Sequence, residues 1–220
     1  AAAEDFAFLK ALDPSDTTFA YYAAVAAGET PSTQPDAITQ STFDGYARRF
    51  DAHLVTALKY RAPKRIAEII RARYPNLDIT VLDLGCGTGL VGLYLGKPKG
   101  GLVGVDLSGN MIAEAAKHNL YDRFHQVSLL DALRESPTAE FEVITAADVF
   151  IYVGEISQAI KDARRVLREN GALVFSCEAT KAGEPDLILR DTMRYAHCES
   201  AVRAMCEAAG FKQVDIESFD

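Results

Sequence analysis

Apolar residues follow two patterns that alternate along the chain. Continuous apolar runs, typical of buried strands, occupy residues 79–84 (ITVLDL), 101–107 (GLVGVDL) and 141–150 (FEVITAADVF). Segments with apolar residues three or four positions apart, typical of amphipathic helices, occupy residues 156–170 (ISQAIKDARRVLREN) and 199–209 (ESAVRAMCEAA). Strands that alternate with helices of this length predict an α/β fold, with a mostly parallel sheet covered by helices on both faces.

The remaining segments extend this alternation. The additional predicted strands are RFHQVSLL (123–130), ALVFSCEA (172–179) and FKQVDIESF (211–219), and the additional helices are LVGLYLG (90–96) and GNMIAEAAKHN (109–119). In parallel sheets of this kind, ligands bind outside the carboxyl ends of the strands, where the strand order reverses. We therefore expect a ligand site in the loops that follow the strands.

The first 40 residues differ from the rest. Two short apolar helices, EDFAFLKAL (4–12) and FAYYAAVAA (19–27), precede a segment rich in Gly, Pro, Ser and Thr that is typical of a linker, GETPSTQPD (28–36). We therefore divide the chain into an N-terminal helical segment with its linker, residues 1–40, and a main domain, residues 41–220.

Two helices are predicted at the start of the main domain. The first covers residues 41–60, where Ser41 and Asp44 have the spacing of a capping box and apolar residues follow on one face. The second lies in APKRIAEIIRARYP, with Pro63 in its first turn and Pro75 beyond its end.

Composition narrows the ligand classes. The chain of 220 residues suits one large domain. Its 23 Lys and Arg against 31 Asp and Glu, a net charge of −8, give no broad electrostatic attraction for nucleic acid or an anionic membrane. Four cysteines without a C-x-x-C pair disfavour a metal site, and with no apolar stretch of membrane length they favour a cytoplasmic setting. A small or protein-borne substrate fits this balance.

A glycine-rich loop follows the first predicted strand. In VLDLGCGTGL, Asp83 precedes Gly85, Gly87 and Gly89 in a D-x-G-x-G-x-G frame. Gly87, Gly89 and Gly92 also match the G-x-G-x-x-G pattern of dinucleotide sites, a weak signal when alone. Because the turn begins at Gly85, Gly92 falls about one helical turn inside the next helix, where it cannot approach a pyrophosphate. The frame favours a nucleoside ligand with an amino-acid tail and no phosphate, such as S-adenosylmethionine.

Several segments in the order of a known family extend this indication. They are VLDLGCGTGL (81–90), VGVDLSGNMIAEA (103–115), SLLDAL (128–133), FEVITAADVFIYVGE (141–155) and VLRENGALVFSCE (166–178). In this order they resemble the motifs of class I S-adenosylmethionine-dependent methyltransferases. The resemblance implies a three-layer Rossmann-like fold, S-adenosylmethionine as cofactor and S-adenosylhomocysteine as product.

A narrower resemblance concerns both flanks of these motifs. TFDGYARRFDAHLVTALKYRAP (42–63) and RYAHCESAVRAMCEAAGF (194–211) are similar to bacterial methyltransferases that carry tetratricopeptide repeats before the catalytic domain. This implies that residues 1–28 are the remnant of a repeat, which would offer a surface to a protein partner. It also implies that the helices of residues 41–74 form a lid over the cofactor cleft.

The resemblance assigns the nucleoside contacts. Asp106 ends a predicted strand, where its carboxylate would accept hydrogen bonds from both ribose hydroxyls, unless it only caps the next helix. Leu107 and Met111 would wall the adenine, although a Met at helical spacing is commonly core filling. Asp131 and Ala132 would lie at the adenine edge, and the alternative for Asp131 is an exposed turn residue.

The methionine end of the cofactor is assigned in the same way. Asp83 would face it, or else stabilise the loop. Tyr46 would contact it from the lid, or else pack as an ordinary aromatic residue. The complete predicted cofactor set is Tyr46, Asp83, Gly85, Cys86, Gly87, Gly89, Asp106, Leu107, Met111, Asp131, Ala132 and Ala147. We count the Cys86 side chain as packing, since no base is patterned beside it.

The reaction is an in-line displacement at the methyl group. The protein has to bring the acceptor to about 3–3.5 Å from the methyl carbon, and a base is needed only if the acceptor loses a proton. The candidate catalytic residues are His53, Asp148, Tyr152 and His197, with Glu178 and Tyr195 as further candidate acceptor contacts. No N/D-P-P-Y segment or Pro-Cys pair is present, which disfavours amide-nitrogen and cytosine-C5 acceptors. A hydroxyl, carboxylate, amine or activated carbon on a small molecule or carrier remains.

Three hypotheses follow for the function. The first is an active methyltransferase of the EC 2.1.1 type. The second is a regulatory or scaffold module that binds S-adenosylmethionine without turnover. The third is a nicotinamide oxidoreductase, which would require NAD to compete with S-adenosylhomocysteine.

Overall fold

A five-stranded parallel sheet forms the centre of the protein, and our computed structural model describes residues 2–46 and 60–219. The strands are β1 (Thr80–Leu84), β2 (Gly101–Val105), β3 (Arg123–His125), β4 (Phe141–Ala146) and β5 (Leu167–Phe175). Their order is β3-β2-β1-β4-β5, and every neighbouring pair is parallel. The chain therefore reverses its direction of winding between β1 and β4, where such sheets bind ligands.

Helices precede the sheet and connect its strands. They are α1 (Ala2–Leu12), α2 (Thr17–Ala26), α3 (Asp36–Tyr46), α4 (Ala62–Arg73), α5 (Leu90–Leu95), α6 (Gly109–Ala116), α7 (Leu129–Glu135), α8 (Ser157–Val166) and α9 (Glu199–Ala208). A small second sheet contains β6 (Glu178–Ala179), β7 (Leu187–Leu189) and β8 (Tyr195–His197), in the order β6-β8-β7. Within residues 2–46 and 60–219, every helix is too short or too polar to span a lipid bilayer.

The sheet buries a separate apolar core on each face. Successive residues of β1 point to opposite faces of the sheet. Val81 therefore lies in one core with Ile70 of α4, whereas Leu82 lies in the other core with Ile144 of β4 and Ile160 of α8. Both faces are therefore covered by helices, and the predicted mostly parallel, three-layer α/β fold is confirmed.

Two predicted element boundaries are wrong for local reasons. The helix expected from residue 41 begins at Asp36, so Ser41 and Asp44 lie inside α3 and form no cap. The strand expected over 123–130 ends at His125, because the Ser128 hydroxyl accepts a hydrogen bond from the Asp131 N–H at 3.1 Å and starts α7.

Two further predictions near the C-terminus are also wrong. Helix α8 ends at Val166 and not at Asn170, since buried Leu167 already pairs with Phe141 of β4. Residues 211–219 form no strand in the described part of the chain. Side chains hold this segment instead, with the Arg203 guanidinium donating to the Val214 carbonyl at 2.6 Å.

The predicted linker makes specific backbone hydrogen bonds with the main domain. Thr33 forms an antiparallel bridge with Val153. The Glu155 N–H donates to the Ser32 carbonyl at 2.7 Å, and the Gln34 N–H donates to the Tyr152 carbonyl at 3.2 Å. The chain therefore enters α3 from a fixed position beside the loop that follows β4.

Truncation of the central strand tests the core. Leu82 is 2% exposed and Leu93, on α5, is 45% exposed. We expect Leu82→Ala to lower the free energy of unfolding by about 2–5 kcal/mol, because it leaves a cavity between packed layers. Leu93→Ala is the control and should change it by about 0.5 kcal/mol or less. Urea denaturation measures both, and equal losses would contradict the assigned core.

Candidate functional site

The glycine-rich loop connects the carboxyl end of β1 to α5. Gly85, Gly87 and Gly89 have φ angles of +60°, +52° and +86°, in the left-handed region that strains other residues. A Cβ at Gly85 would lie 2.4 Å from a methyl carbon of Val149, so this glycine is required by close packing. A Cβ at Gly87 would meet no described atom within 4 Å. The loop thus packs against protein at Gly85 and presents bare main chain to open space at Gly87.

Asp106 links this loop to the end of the neighbouring strand. Its carboxylate accepts one hydrogen bond from the Gly87 N–H and one from the Ser108 N–H, both at 2.8 Å. Burial raises the pKa of Asp106, and these backbone donors oppose the rise. Ser108, not Asp106, caps α6, since its hydroxyl accepts from the Met111 N–H at 3.1 Å. Among the described residues, these two N–H groups occupy part of the acceptor capacity of the carboxylate, which leaves lone pairs for a ligand.

Asp83 lies beneath the loop and is fully buried. Its two carboxylate oxygens accept hydrogen bonds from the Tyr121 hydroxyl and the Thr145 hydroxyl, each at 2.7 Å. Burial raises the pKa of Asp83 to about 6, with a smaller contribution from the charge of Asp106. These two hydrogen bonds agree with the alternative role predicted for Asp83, which is to stabilise the loop. Sequence reasoning missed both partners, which lie 38 and 62 residues away.

The predicted adenine residues lie around α6 and α7. Met111 is 1% exposed, as expected of core filling, whereas Leu107 is partly exposed. Asp131 lies in the first turn of α7, where its carboxylate accepts from the Ser128 hydroxyl at 2.9 Å and pairs with Arg134 at 2.7 Å. Ala132 is buried beside it.

The segment after β4 contains a strained acidic residue. Asp148 has a φ angle of +53°, which costs energy in a non-glycine residue. Its N–H donates to the Ser176 hydroxyl at 2.7 Å, and that hydroxyl donates to its carboxylate. The Tyr60 hydroxyl donates to the Ala147 carbonyl at 3.3 Å, and burial, with the nearby Asp148 charge, raises the pKa of Tyr60. Tyr60 is a site residue that no sequence pattern indicated.

Helix α3 lies across these loops. Its Asp44 accepts a hydrogen bond from the Ser108 hydroxyl at 2.5 Å, and its Phe43 ring packs edge-on against Tyr152 with centroids 5.4 Å apart. Burial raises the pKa of Tyr152, and the positive charge of Arg194 opposes this. The helix therefore contacts the segments that follow both β2 and β4, as expected of a lid. The side chain of Tyr46 and the whole of His53 lie outside the described residues.

The remaining candidate residues contact other parts of the protein. Glu178 pairs with Arg190 at 3.2 Å. Tyr195 is fully buried, and the His197 Nε2 lies 2.8 Å from the Gly154 carbonyl. Burial lowers the pKa of His197, so its ring stays neutral at pH 7. Cys86 is buried in an apolar cluster, and burial raises the pKa of its thiol, in keeping with packing.

Metal ligands are not assembled in this part of the molecule. Across residues 2–46 and 60–219, no three His, Cys, Asp or Glu side chains are grouped to hold a metal ion. The residues that the structure does bring together are the glycine loop, two buried carboxylates and the Tyr60–Asp148 pair.

The burial of Asp83 predicts a pH-dependent stability. With a folded pKa of about 6 against the ordinary 3.8, the folded protein binds more protons between these values. The contribution of Asp83 to the free energy of unfolding therefore falls by about 2 kcal/mol as the pH rises from 4 to 7. We expect the stability of the wild type minus that of Asp83→Asn to fall by this amount in urea denaturation.

Asp122→Asn is the control for that experiment. Its hydrogen bond and ion pair with Lys97 lower the pKa of Asp122. The contribution of Asp122 to the free energy of unfolding should therefore not fall as the pH rises from 4 to 7. A difference between wild type and Asp83→Asn that stays constant from pH 4 to 7 would contradict the assigned burial.

Known proteins share this arrangement in part. Residues 82–173 match a family described as a methyltransferase domain. A malonyl-[acyl-carrier protein] O-methyltransferase of Priestia megaterium is 30% identical over 143 residues, which cover 63% of this chain and 50% of that protein. The chain spans about half the length of the curated relatives it matches, between 44% and 50% for three of them.

Solved structures agree on the fold. The [4+2]-cyclase SpnF matches with a TM-score of 0.69 at 20% identity, over 84% of this chain and 75% of its own. A Burkholderia thailandensis 1,6-didemethyltoxoflavin-N1-methyltransferase, solved with its substrate and S-adenosylhomocysteine, matches with a TM-score of 0.65 at 18% identity, over 85% and 84%. The chain therefore has the Rossmann-like fold of these solved structures, and residues 82–173 are similar to a methyltransferase domain.

Proposed function

We propose that the protein transfers the methyl group of S-adenosylmethionine to a small-molecule or carrier-bound acceptor. The observation that carries this proposal is the hydrogen bond between the Gly87 N–H and the Asp106 carboxylate. It brings bare main chain beside a carboxylate with acceptor capacity, in the loop after β1, and β1 borders the point where the strand order reverses. A ribose with two free hydroxyls satisfies that carboxylate, whereas a phosphate would be repelled by it.

The comparisons support the same ligand. The Burkholderia thailandensis methyltransferase of similar fold holds S-adenosylhomocysteine. The Priestia megaterium relative is an O-methyltransferase that acts on a carrier-bound acceptor. Both fit a cofactor that binds at the glycine loop and an acceptor that approaches from the lid side.

The predicted cofactor residues divide among the parts of this cofactor. Asp106 binds the ribose hydroxyls, and Gly85, Cys86, Gly87 and Gly89 contribute main chain. Asp83 attracts the ammonium group of the methionine end by its negative charge, alongside Tyr46. Leu107, Asp131 and Ala132 surround the adenine, buried Met111 packs in the core behind them, and Ala147 leaves room beside the sulfonium.

The acceptor site lies where β4 ends. S-adenosylmethionine supplies an activated methyl group on a cationic sulfur. Asp148, held by Ser176, presents a carboxylate beside the Tyr60 hydroxyl. For a hydroxyl acceptor, the oxygen–methyl bond forms as the sulfur–methyl bond breaks, and Asp148 accepts the hydroxyl proton before releasing it to water. His53, Tyr152 and His197 are the other candidates, and buried His197 is bound to a backbone carbonyl.

A second function is a binding module that holds the cofactor without methyl transfer. A [4+2]-cyclase has a similar fold, so the fold by itself does not imply methyl transfer, and this alternative stands beside the first. The proposal also includes the repeat remnant in residues 1–28, the protein partner that it would bind and a cytoplasmic location.

Calorimetry with S-adenosylhomocysteine tests the cofactor site. We expect binding of S-adenosylhomocysteine and none of NAD. Asp106→Ala should weaken it about 100-fold or more, because two charged hydrogen bonds to the ribose, each contributing about 1.5–3 kcal/mol, are lost. Asp122→Asn, at an exposed ion pair, is the control and should bind like the wild type. Binding of NAD in place of S-adenosylhomocysteine would support the oxidoreductase hypothesis instead.

Labelled S-adenosylmethionine tests the role of Asp148. We expect Asp148→Asn to slow transfer to hydroxyl acceptors about 100-fold or more, because general-base catalysis of this kind contributes about 10²–10⁴-fold. Carboxylate acceptors need no base, so their rates should change far less. The affinity for S-adenosylhomocysteine is the control and should be unchanged. A normal rate with hydroxyl acceptors would exclude this role.

A further inference from the structure

Tyr121 lies between α6 and β3, and its side chain reaches under the glycine loop. The residue is 9% exposed, and its ring stacks on Phe124 with centroids 4.9 Å apart. A Cβ at Gly104 would lie 2.7 Å from the Phe124 ring, so Phe124 in turn packs closely on β2. The tyrosine ring is thus fixed on one side by the sheet.

Two glycines, one in the loop and one in α5, accommodate this ring. A Cβ at Gly89 would lie 3.2 Å from the Tyr121 ring, and a Cβ at Gly92 would lie 2.8 Å from it. Gly92 lies inside α5, where a glycine lowers helix stability. Its presence is explained by the aromatic ring and not by a pyrophosphate. The last two glycines of the G-x-G-x-x-G match therefore pack against the Tyr121 ring.

The hydroxyl of the same side chain fixes the buried carboxylate. It donates to Asp83 at 2.7 Å, while the Thr145 hydroxyl donates to the other oxygen of Asp83 at 2.7 Å. Tyr121, β1 and β4 are thereby joined through one carboxylate. Unlike Gly89 and Gly92, Gly87 of the same segment faces open space.

We propose that Tyr121 is a positioning residue, which holds the glycine loop and the Asp83 carboxylate in the arrangement that receives the cofactor. The inference rests on the proposed function for the identity of that ligand. The contacts of Tyr121 with Gly89, Gly92 and Asp83 do not depend on it. Tyr121 acts from beneath the loop and does not touch the cofactor.

A pH-dependent affinity follows from this arrangement. Asp83 attracts the ammonium group of the ligand only when it is ionised, so affinity should fall as the pH drops through the pKa of Asp83, about 6. The hydrogen bonds of Tyr121 and Thr145 lower that pKa, and Asp106 raises it. The other titratable groups that interact with its charge, Tyr60 and Cys86, have raised pKa values and stay neutral in this range.

The test compares Tyr121→Phe with the wild type, using S-adenosylhomocysteine as the probe. The substitution keeps the ring on Gly89 and Gly92 but removes the hydrogen bond to Asp83. We expect about fivefold weaker binding at pH 7.5, as for the loss of one buried hydrogen bond. We also expect the acidic loss of affinity to begin at higher pH. Calorimetry from pH 5.5 to 8.5 measures both.

Two further variants separate positioning from stability. Tyr94→Phe, on α5, is the matched control, because the Tyr94 hydroxyl makes no hydrogen bond within the described residues. Thr145→Val removes the other hydrogen bond to Asp83 without touching the glycines, and it should shift the pH profile in the same direction. If Tyr121→Phe does not fold, Thr145→Val still measures how a hydrogen bond to Asp83 affects the pH dependence of binding.

Each outcome decides the inference. A lower melting temperature with unchanged affinity and unchanged pH profile would make Tyr121 merely structural and overturn it. If the wild type binds no S-adenosylhomocysteine, the proposed function fails. Hydrogen exchange then decides the positioning role. Amides of residues 86–92 should exchange faster in Tyr121→Phe than in Tyr94→Phe, and equal exchange overturns the inference.

Discussion

The hydrogen bond between the Gly87 N–H and the Asp106 carboxylate is the interaction on which the site depends. It joins the ends of β1 and β2 at the carboxyl edge of the sheet. It requires the left-handed backbone of Gly87, which another residue would adopt only with strain. It also brings a main-chain donor and a carboxylate acceptor into one small region, so a ligand that contacts one of them meets the other.

Two buried carboxylates close together are costly, and the protein offsets the cost with fixed donors. Asp83 receives two side-chain hydroxyls, and Asp106 receives two backbone N–H groups. Burial raises the pKa of both carboxyl groups, and the charge of Asp106 adds to the rise at Asp83, so neither group stabilises the fold by itself. Such placement is typical of a site selected for binding and not for stability.

Much of this arrangement could be predicted from the sequence, because it depends on local patterns. The alternation of strands and helices gives the sheet, and the spacing of Gly85, Gly87 and Gly89 gives the loop. Tyr121 could not be predicted, since its partner Asp83 is 38 residues away and no periodicity relates them. Residues 211–219 alternate like a strand but hydrogen-bond to no strand within the described chain, and a strand forms only with a partner. The start of α3 at Asp36 likewise reflects the backbone pairing of residues 32–34, which a capping pattern does not reveal.

The pairing of Thr33 with Val153 has a mechanical consequence for the covering helix. The chain enters α3 three residues later, and the loop to which it is anchored is the one that presents Asp148 and Tyr152. The other end of α3 is tied to the start of α6 by the hydrogen bond from the Ser108 hydroxyl to Asp44. One helix thus links the segment after β4 to the segment after β2, and a force on either segment is transmitted to the other.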